Sequence, residues 1–102
     1  MTQLEKDIEK KLRLMVERHG GLCLKWVCPG WSGVPDRILL LPGGRIIFAE
    51  LKTKGGRMSH LQKWWRDKLQ ALGFWAVVVW NEDNINTLEL VIADLLGREV
   101  VS

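Results

Sequence analysis

The run FWAVVVW at residues 74–80 constrains the fold of this chain more than any other segment. It is far shorter than the roughly 20 apolar residues of a membrane-spanning helix, and its valines favour a strand. A strand that is apolar at every position is typical of burial on both faces of a sheet. The run therefore predicts an α/β fold in which helices cover both faces of a sheet.

The rest of the chain supplies matching elements, separated by glycine and proline. Apolar residues at helical spacing predict a first helix over 3–19, and a second helix over 59–72 begins with Ser59 as its cap. Asp83 or Asn84 is expected to cap a third helix that ends near residue 96. Partial alternation or short apolar runs predict strands over 22–27, 36–41 and 45–51. The expected order is αβββαβα, a mixed four-stranded sheet flanked by helices, in one domain over residues 1–102.

The composition excludes several classes of protein. No apolar run is long enough to span a membrane, and the charged start lacks a signal core, so we expect a cytoplasmic protein. Cys23 and Cys28 have no further Cys or His pair nearby, which argues against a zinc site. A net charge of +3 permits nucleic-acid binding without requiring it. Most of the six tryptophans are expected in the core.

Two carboxylates are expected to face each other across the hairpin formed by residues 36–51. Its turn lies near Gly43, which places Asp36 opposite about residue 50, where Glu50 stands. Lys52 follows on the same face of the strand, because side chains alternate with a period of two. Close carboxylates repel each other, and a Mg²⁺ ion with its preference for oxygen ligands would remove that repulsion. Lys52 would then orient or deprotonate a water for attack on phosphorus.

The longer pattern resembles a known family. Gly33-Val34-Pro35-Asp36-Arg37, Glu50-Leu51-Lys52 and Ser59-x-x-Gln62 resemble a stand-alone VRR-NUC domain of the PD-(D/E)XK nuclease superfamily, the small type found in bacteriophages. The resemblance covers about residues 4–96. It implies the PD-(D/E)XK core fold and an endonuclease that requires Mg²⁺ or Mn²⁺ and no small-molecule cofactor. It also implies a homodimer that cuts branched DNA such as four-way (Holliday) junctions.

The resemblance also implies the site residues. Asp36, Glu50 and the main-chain carbonyl of Leu51 would bind the metal, and Lys52 would be the catalytic lysine. An acidic residue of the first helix would join them. Helical angles of about 100° per residue favour Glu5 over Glu9 for this position, because Glu5 lies closer to the buried face. Gln62 would stand beside the site, although Ser59-x-x-Gln62 also fits a capping box.

Further residues are expected to contact DNA. Lys54 and Arg57 lie in a basic, glycine-containing loop that leads into Ser59 and a helix N-terminus, which suits phosphate binding. Arg37 points away from Asp36 and would pair with a carboxylate or a phosphate. Trp31 would stack on an unpaired base, pack under its loop or contact a second subunit. The alternatives in function are a nuclease for flaps, nicks or duplexes, and a DNA-binding module without catalysis.

Overall fold

The elements of this computed structural model follow the expected order, αβββαβα. It describes residues 2–53 and 55–99, so the expectation for Lys54 lies outside the described residues. The helices are α1 (Gln3–Arg18), α2 (His60–Ala71) and α3 (Glu82–Leu95), with a short 3-10 turn at Pro42–Gly44. The strands are β1 (Leu22–Lys25), β2 (Arg37–Leu41), β3 (Arg45–Leu51) and β4 (Trp75–Val79). No helix in these two ranges is long and apolar enough to cross a membrane.

The strands form one mixed sheet in the order β1-β2-β3-β4. The first two pairings are antiparallel, and β4 joins β3 in parallel after α2, as expected. Arg37 pairs with Ala49, which brings Asp36 opposite Glu50 as the spacing predicts. Gly43 and Gly44 allow the tight turn, because both have positive φ (81° and 73°), where a side chain would be strained.

Helices cover both faces of the sheet. On one face, α1 and α3 pack against alternate strand residues such as Leu39, Ile47 and Val79 to form the larger core. On the other face, α2 places Leu69 against Phe48 and Ala76 in a smaller core. Residues of β3 therefore alternate between the two cores, and the even-numbered ones face α2.

Several boundaries differ from the expectations. The apolar run 74–80 is not buried on both faces: β4 lies at the edge of the sheet, and Trp75 is 46% exposed. Asn81 caps α3 instead of Asp83 or Asn84, because its side chain accepts the N–H of Asn84. Strand β1 ends at Lys25, two residues before the expected end.

The expectation of a tryptophan-rich core is wrong. None of the six tryptophans is buried: three are exposed (Trp31, Trp64 and Trp75), and three are half-buried (Trp26, Trp65 and Trp80). Aliphatic side chains fill the larger core instead. The rings lie mainly at the α2 side, where Trp26 and Trp65 border the smaller core.

Candidate active site

Asp36 stands just before β2 and is fixed to the neighbouring strand. Its Oδ2 accepts the backbone N–H of Leu51 at 2.9 Å. In the continued register, Leu51 falls opposite Pro35, and proline has no N–H to donate. The Leu51 carbonyl therefore lacks the ladder partner that it would otherwise have on that side. The Pro-Asp pair thus holds a carboxylate and leaves a carbonyl oxygen available beside it.

Glu50 is held from the opposite side by α2. Gln62 donates from Nε2 to Glu50 Oε1 at 3.1 Å, while its Oε1 accepts the backbone N–H of Ser59 at 2.9 Å. The Ser59 hydroxyl in turn accepts the N–H of Gln62, which completes a capping box. The two alternatives for Gln62 therefore combine, because the cap fixes the amide that touches Glu50.

The carboxylate of Glu50 lies in an environment that opposes ionisation. Glu50 is only 5% exposed. Burial, followed by the charge of Asp36 and a hydrogen bond to it, raises the pKa of Glu50 from 4.5 to about 8, although the nearby Lys52 opposes the rise. Asp36, Glu50 and Lys52 therefore lie close enough to interact electrostatically, as the hairpin register requires.

Comparisons with known proteins agree with this site. No family model matches the sequence. A solved structure described as a VRR_NUC domain superimposes with a TM-score of 0.79 at 27% identity, covering 85% of this chain and 95% of that one. "Putative nuclease p44" of Acyrthosiphon pisum secondary endosymbiont phage 1 is 42% identical over 79 residues, 78% of this chain and 85% of that protein. This chain belongs to the VRR-NUC nuclease family.

A cavity of about 210 Å³ opens beside the acid pair of this VRR-NUC domain. It is lined by Glu5, Lys25, Asp36, Arg37 and Leu51. Glu5 of α1 therefore shares a cavity with Asp36, and its carboxylate also accepts the Thr2 hydroxyl at 3.2 Å. Glu9 lies outside that lining, with its carboxylate 4.0 Å from Arg13. Within residues 2–53 and 55–99, no three His, Cys, Asp or Glu side chains are grouped as metal ligands, so Glu5 does not form a ready-made cluster with Asp36 and Glu50.

The expected DNA-contacting residues of the VRR-NUC domain are distributed over two surfaces. Arg57 and Ser59 are exposed at the start of α2, and the Ser59 backbone N–H is already used by Gln62. Trp31 is 62% exposed and packs edge-on against Trp65, with ring centres 5.7 Å apart. Arg37 is buried on the α1 side of the sheet.

Sequence reasoning missed two features of the site. Lys25 lines the same cavity as Asp36 and lies directly opposite Arg37 in β2, a pairing that depends on the long loop between β1 and β2. Trp65 donates from Nε1 to the Ser32 carbonyl at 2.9 Å and so anchors the loop that carries Trp31. The alternation of β1 could have placed Lys25 on a face, but no sequence signal fixed its partner.

Proposed function

We propose that this VRR-NUC nuclease is a divalent-metal-dependent DNA endonuclease that cuts four-way junctions as a homodimer. The observation that carries the proposal is the pairing of Asp36 with Glu50 across the hairpin, with Lys52 beside them. Two carboxylates in this position destabilise the fold unless a cation joins them. The available donors, Asp36, Glu50 and the Leu51 carbonyl, are all oxygen atoms, which suits Mg²⁺ or Mn²⁺.

The residues would divide the work of phosphodiester hydrolysis. Asp36, Glu50 and the Leu51 carbonyl would hold the cation, which would neutralise the charge that develops on the phosphate oxygens. Lys52 would orient or deprotonate the water that attacks phosphorus while the P–O bond to the leaving strand breaks. Gln62 would keep the Glu50 carboxylate in place, because it is itself fixed by the helix cap. Glu5 would approach from α1 as an additional acidic ligand.

DNA would be held on both sides of this centre. At the start of α2, Arg57, Ser59 and the loop residue Lys54 would contact phosphates, helped by the free N–H groups of the first helical turn. Trp31 would stack on an unpaired base at the branch point, because its ring is exposed while its loop is anchored through Trp65 and Ser32. The exposed Trp64 is a candidate for the contact between subunits.

A homodimer would explain junction cleavage without a recognition domain. A two-fold axis would place two active sites against two strands of equivalent geometry. We expect the protein to have a mass in solution of twice the 11.7 kDa of one chain. Light scattering coupled to gel filtration would measure it, and a mass of one chain at working concentration would contradict the dimer.

The experiment that tests the activity is cleavage of a labelled four-way junction beside a linear duplex of matched sequence. Each would be incubated with Mg²⁺, with Mn²⁺ or with EDTA, and Asp36→Asn would be the inactive control. We expect symmetric paired cuts in the junction that EDTA and Asp36→Asn abolish. Metal-dependent cutting without preference for the junction would contradict the substrate. No cutting with either metal would contradict the catalytic proposal and favour a DNA-binding module.

A further inference from the structure

Two cations face each other in the sheet next to the candidate site. Lys25 of β1 pairs directly with Arg37 of β2. Like charges directly opposite each other on neighbouring strands are destabilising. Only 6% of the surface of Arg37 is exposed, and burial increases the cost of an uncompensated charge. The position therefore calls for a compensating anion.

The described part of the chain does not supply that anion directly. Among residues 2–53 and 55–99, neither Lys25 nor Arg37 has a carboxylate within 4.0 Å. The one hydrogen bond that the Arg37 side chain forms in this range runs from Nη1 to the Asp36 carbonyl at 3.1 Å. No buried side-chain nitrogen or oxygen lacks a partner in the same range, so the other guanidinium nitrogens reach solvent. A guanidinium has five N–H donors, which leaves most of them available.

The solvent that these donors reach lies in the cavity beside the acid pair. Lys25 and Arg37 line it together with Glu5, Asp36 and Leu51. A volume of about 210 Å³ accommodates several waters or one phosphate group. Cations and carboxylates thus share the same small space without pairing with each other. This arrangement fits an anion that bridges to a cation held by the carboxylates.

We propose that Lys25 and Arg37 bind a backbone phosphate of the DNA strand that is cut, on the α1 side of the acid pair. This inference rests on the proposed function and adds Lys25, together with a defined place for Arg37, to it. Arg37 has the planar donor fork that matches phosphate oxygens, and its contact with the Asp36 carbonyl sets its orientation. Lys25 would add a second, more exposed positive charge.

The test is DNA binding by Lys25→Met, measured without cleavage. Fluorescence anisotropy with a labelled four-way junction in EDTA, over a series of salt concentrations, would compare the variant with the parent protein. We expect about tenfold weaker binding and a salt slope that is shallower by about 0.9, the value for a single phosphate. Lys68→Met, which removes an exposed lysine in the last turn of α2, is the matched control and should bind like the parent.

Thermal unfolding of the same variants separates a ligand contact from a structural contribution. Because Lys25→Met removes a like-charge pairing, its melting temperature should equal or exceed that of the parent. A lower melting temperature with a matching loss of binding would overturn the proposal, as would unchanged affinity and salt slope. Arg37→Lys keeps the charge and removes the donor fork, so it should also weaken binding. Unchanged affinity in Arg37→Lys would contradict the place given to Arg37.

The binding readout also separates this inference from the proposed function. If Asp36→Asn abolishes cleavage while Lys25→Met binds like the parent, the nuclease proposal stands and the phosphate site fails. If neither the parent nor any variant cleaves DNA but Lys25→Met still reduces affinity and salt dependence, the phosphate site stands and the catalytic proposal fails.

Discussion

Glu50 and Glu89 are two carboxylates that the fold places in opposite electrostatic surroundings. Glu89 of α3 lies 2.8 Å from His19 Nε2 and 3.2 Å from Arg18 Nη2, so cations surround it. Although burial works in the other direction, the hydrogen bonds from His19 and Arg18 lower the pKa of Glu89. Glu50 instead lies beside another carboxylate, and its pKa rises. Carboxylates that stabilise the free fold are matched by their neighbours, whereas Glu50 is matched only when something is bound.

The largest expected difference between the two carboxylates is in activity. Glu50→Gln should lower the rate of DNA cleavage about a thousandfold, because it removes an oxygen ligand from the site that stabilises charge in the transition state. In EDTA at pH 8 the same variant should unfold at an equal or higher temperature, because the repulsion from Asp36 is gone. Single-turnover cleavage and thermal unfolding measure the two effects.

Glu89→Gln is the matched control for that variant. It should lower the free energy of unfolding by about 1 kcal/mol, because charge-assisted hydrogen bonds to His19 and Arg18 are removed. Cleavage per folded molecule should stay within about twofold of the parent rate. Equal losses of activity in the two variants would remove the distinction between the two carboxylates.

The pH dependence of stability should also separate them. Folded Glu50 keeps its proton up to a pKa of about 8, while its ordinary value is 4.5, so the folded chain binds more protons between these values. Stability of the metal-free protein should therefore fall as pH rises from 5 to 8, by about 2 kcal/mol. Urea unfolding in EDTA would show the fall, and Glu50→Gln should remove it.

Glu89 gives the opposite sign. Because its folded pKa is lowered, its contribution is present above the ordinary value and is lost only as pH falls through the lower folded pKa. Replacing Glu89 should leave the slope between pH 5 and 8 unchanged. A slope that disappears in Glu89→Gln and persists in Glu50→Gln would reverse the comparison.

Divalent cations should stabilise one carboxylate site and not the other. At about ten times the dissociation constant, Mg²⁺ or Mn²⁺ should add about 1.4 kcal/mol, which is a rise of about 6 °C in a domain of this size. Differential scanning fluorimetry would measure the rise, which Asp36→Asn should abolish. Asp67→Asn, at an exposed acid of α2, should keep it; a full rise in Asp36→Asn would mean that the cation binds elsewhere.

The smallest expected effect concerns Gln62. Gln62→Ala should cost about 1 kcal/mol of stability through the damaged cap and should slow cleavage about tenfold, because Glu50 loses its hydrogen bond. Asn81→Ala is the matched control, since it removes the cap of α3, which touches no site residue. The two variants should be similarly destabilised and differ in activity; equal activity would limit Gln62 to its capping contact.

The sequence predicted the features that short-range rules determine. The turn at Gly43 and Gly44 sets the hairpin register, and that register alone brings Asp36 opposite Glu50. Ser59 and Gln62 at capping-box spacing predicted where α2 begins. These features depend on backbone geometry over a few residues, so a single chain contains the information.

Features that depend on tertiary context were predicted less well. An apolar run does not reveal whether its strand is central or at the edge, and β4 lies at the edge with Trp75 exposed. Tryptophan size does not decide burial when aliphatic residues already fill the core. The opposition of Lys25 to Arg37 follows from a loop of irregular structure between β1 and β2, for which sequence patterns offer no register.

The side chain of Gln62 ties the first turn of a helix to a carboxylate in the middle of the molecule. Helix ends fray and re-form rapidly, and a frayed first turn of α2 would release Gln62 from Ser59 and from Glu50 in the same event. The lifetime of the cap would then also set how long the acid pair stays assembled. Hydrogen exchange at the Gln62 amide would thus serve as a clock for the readiness of a site that it does not itself probe.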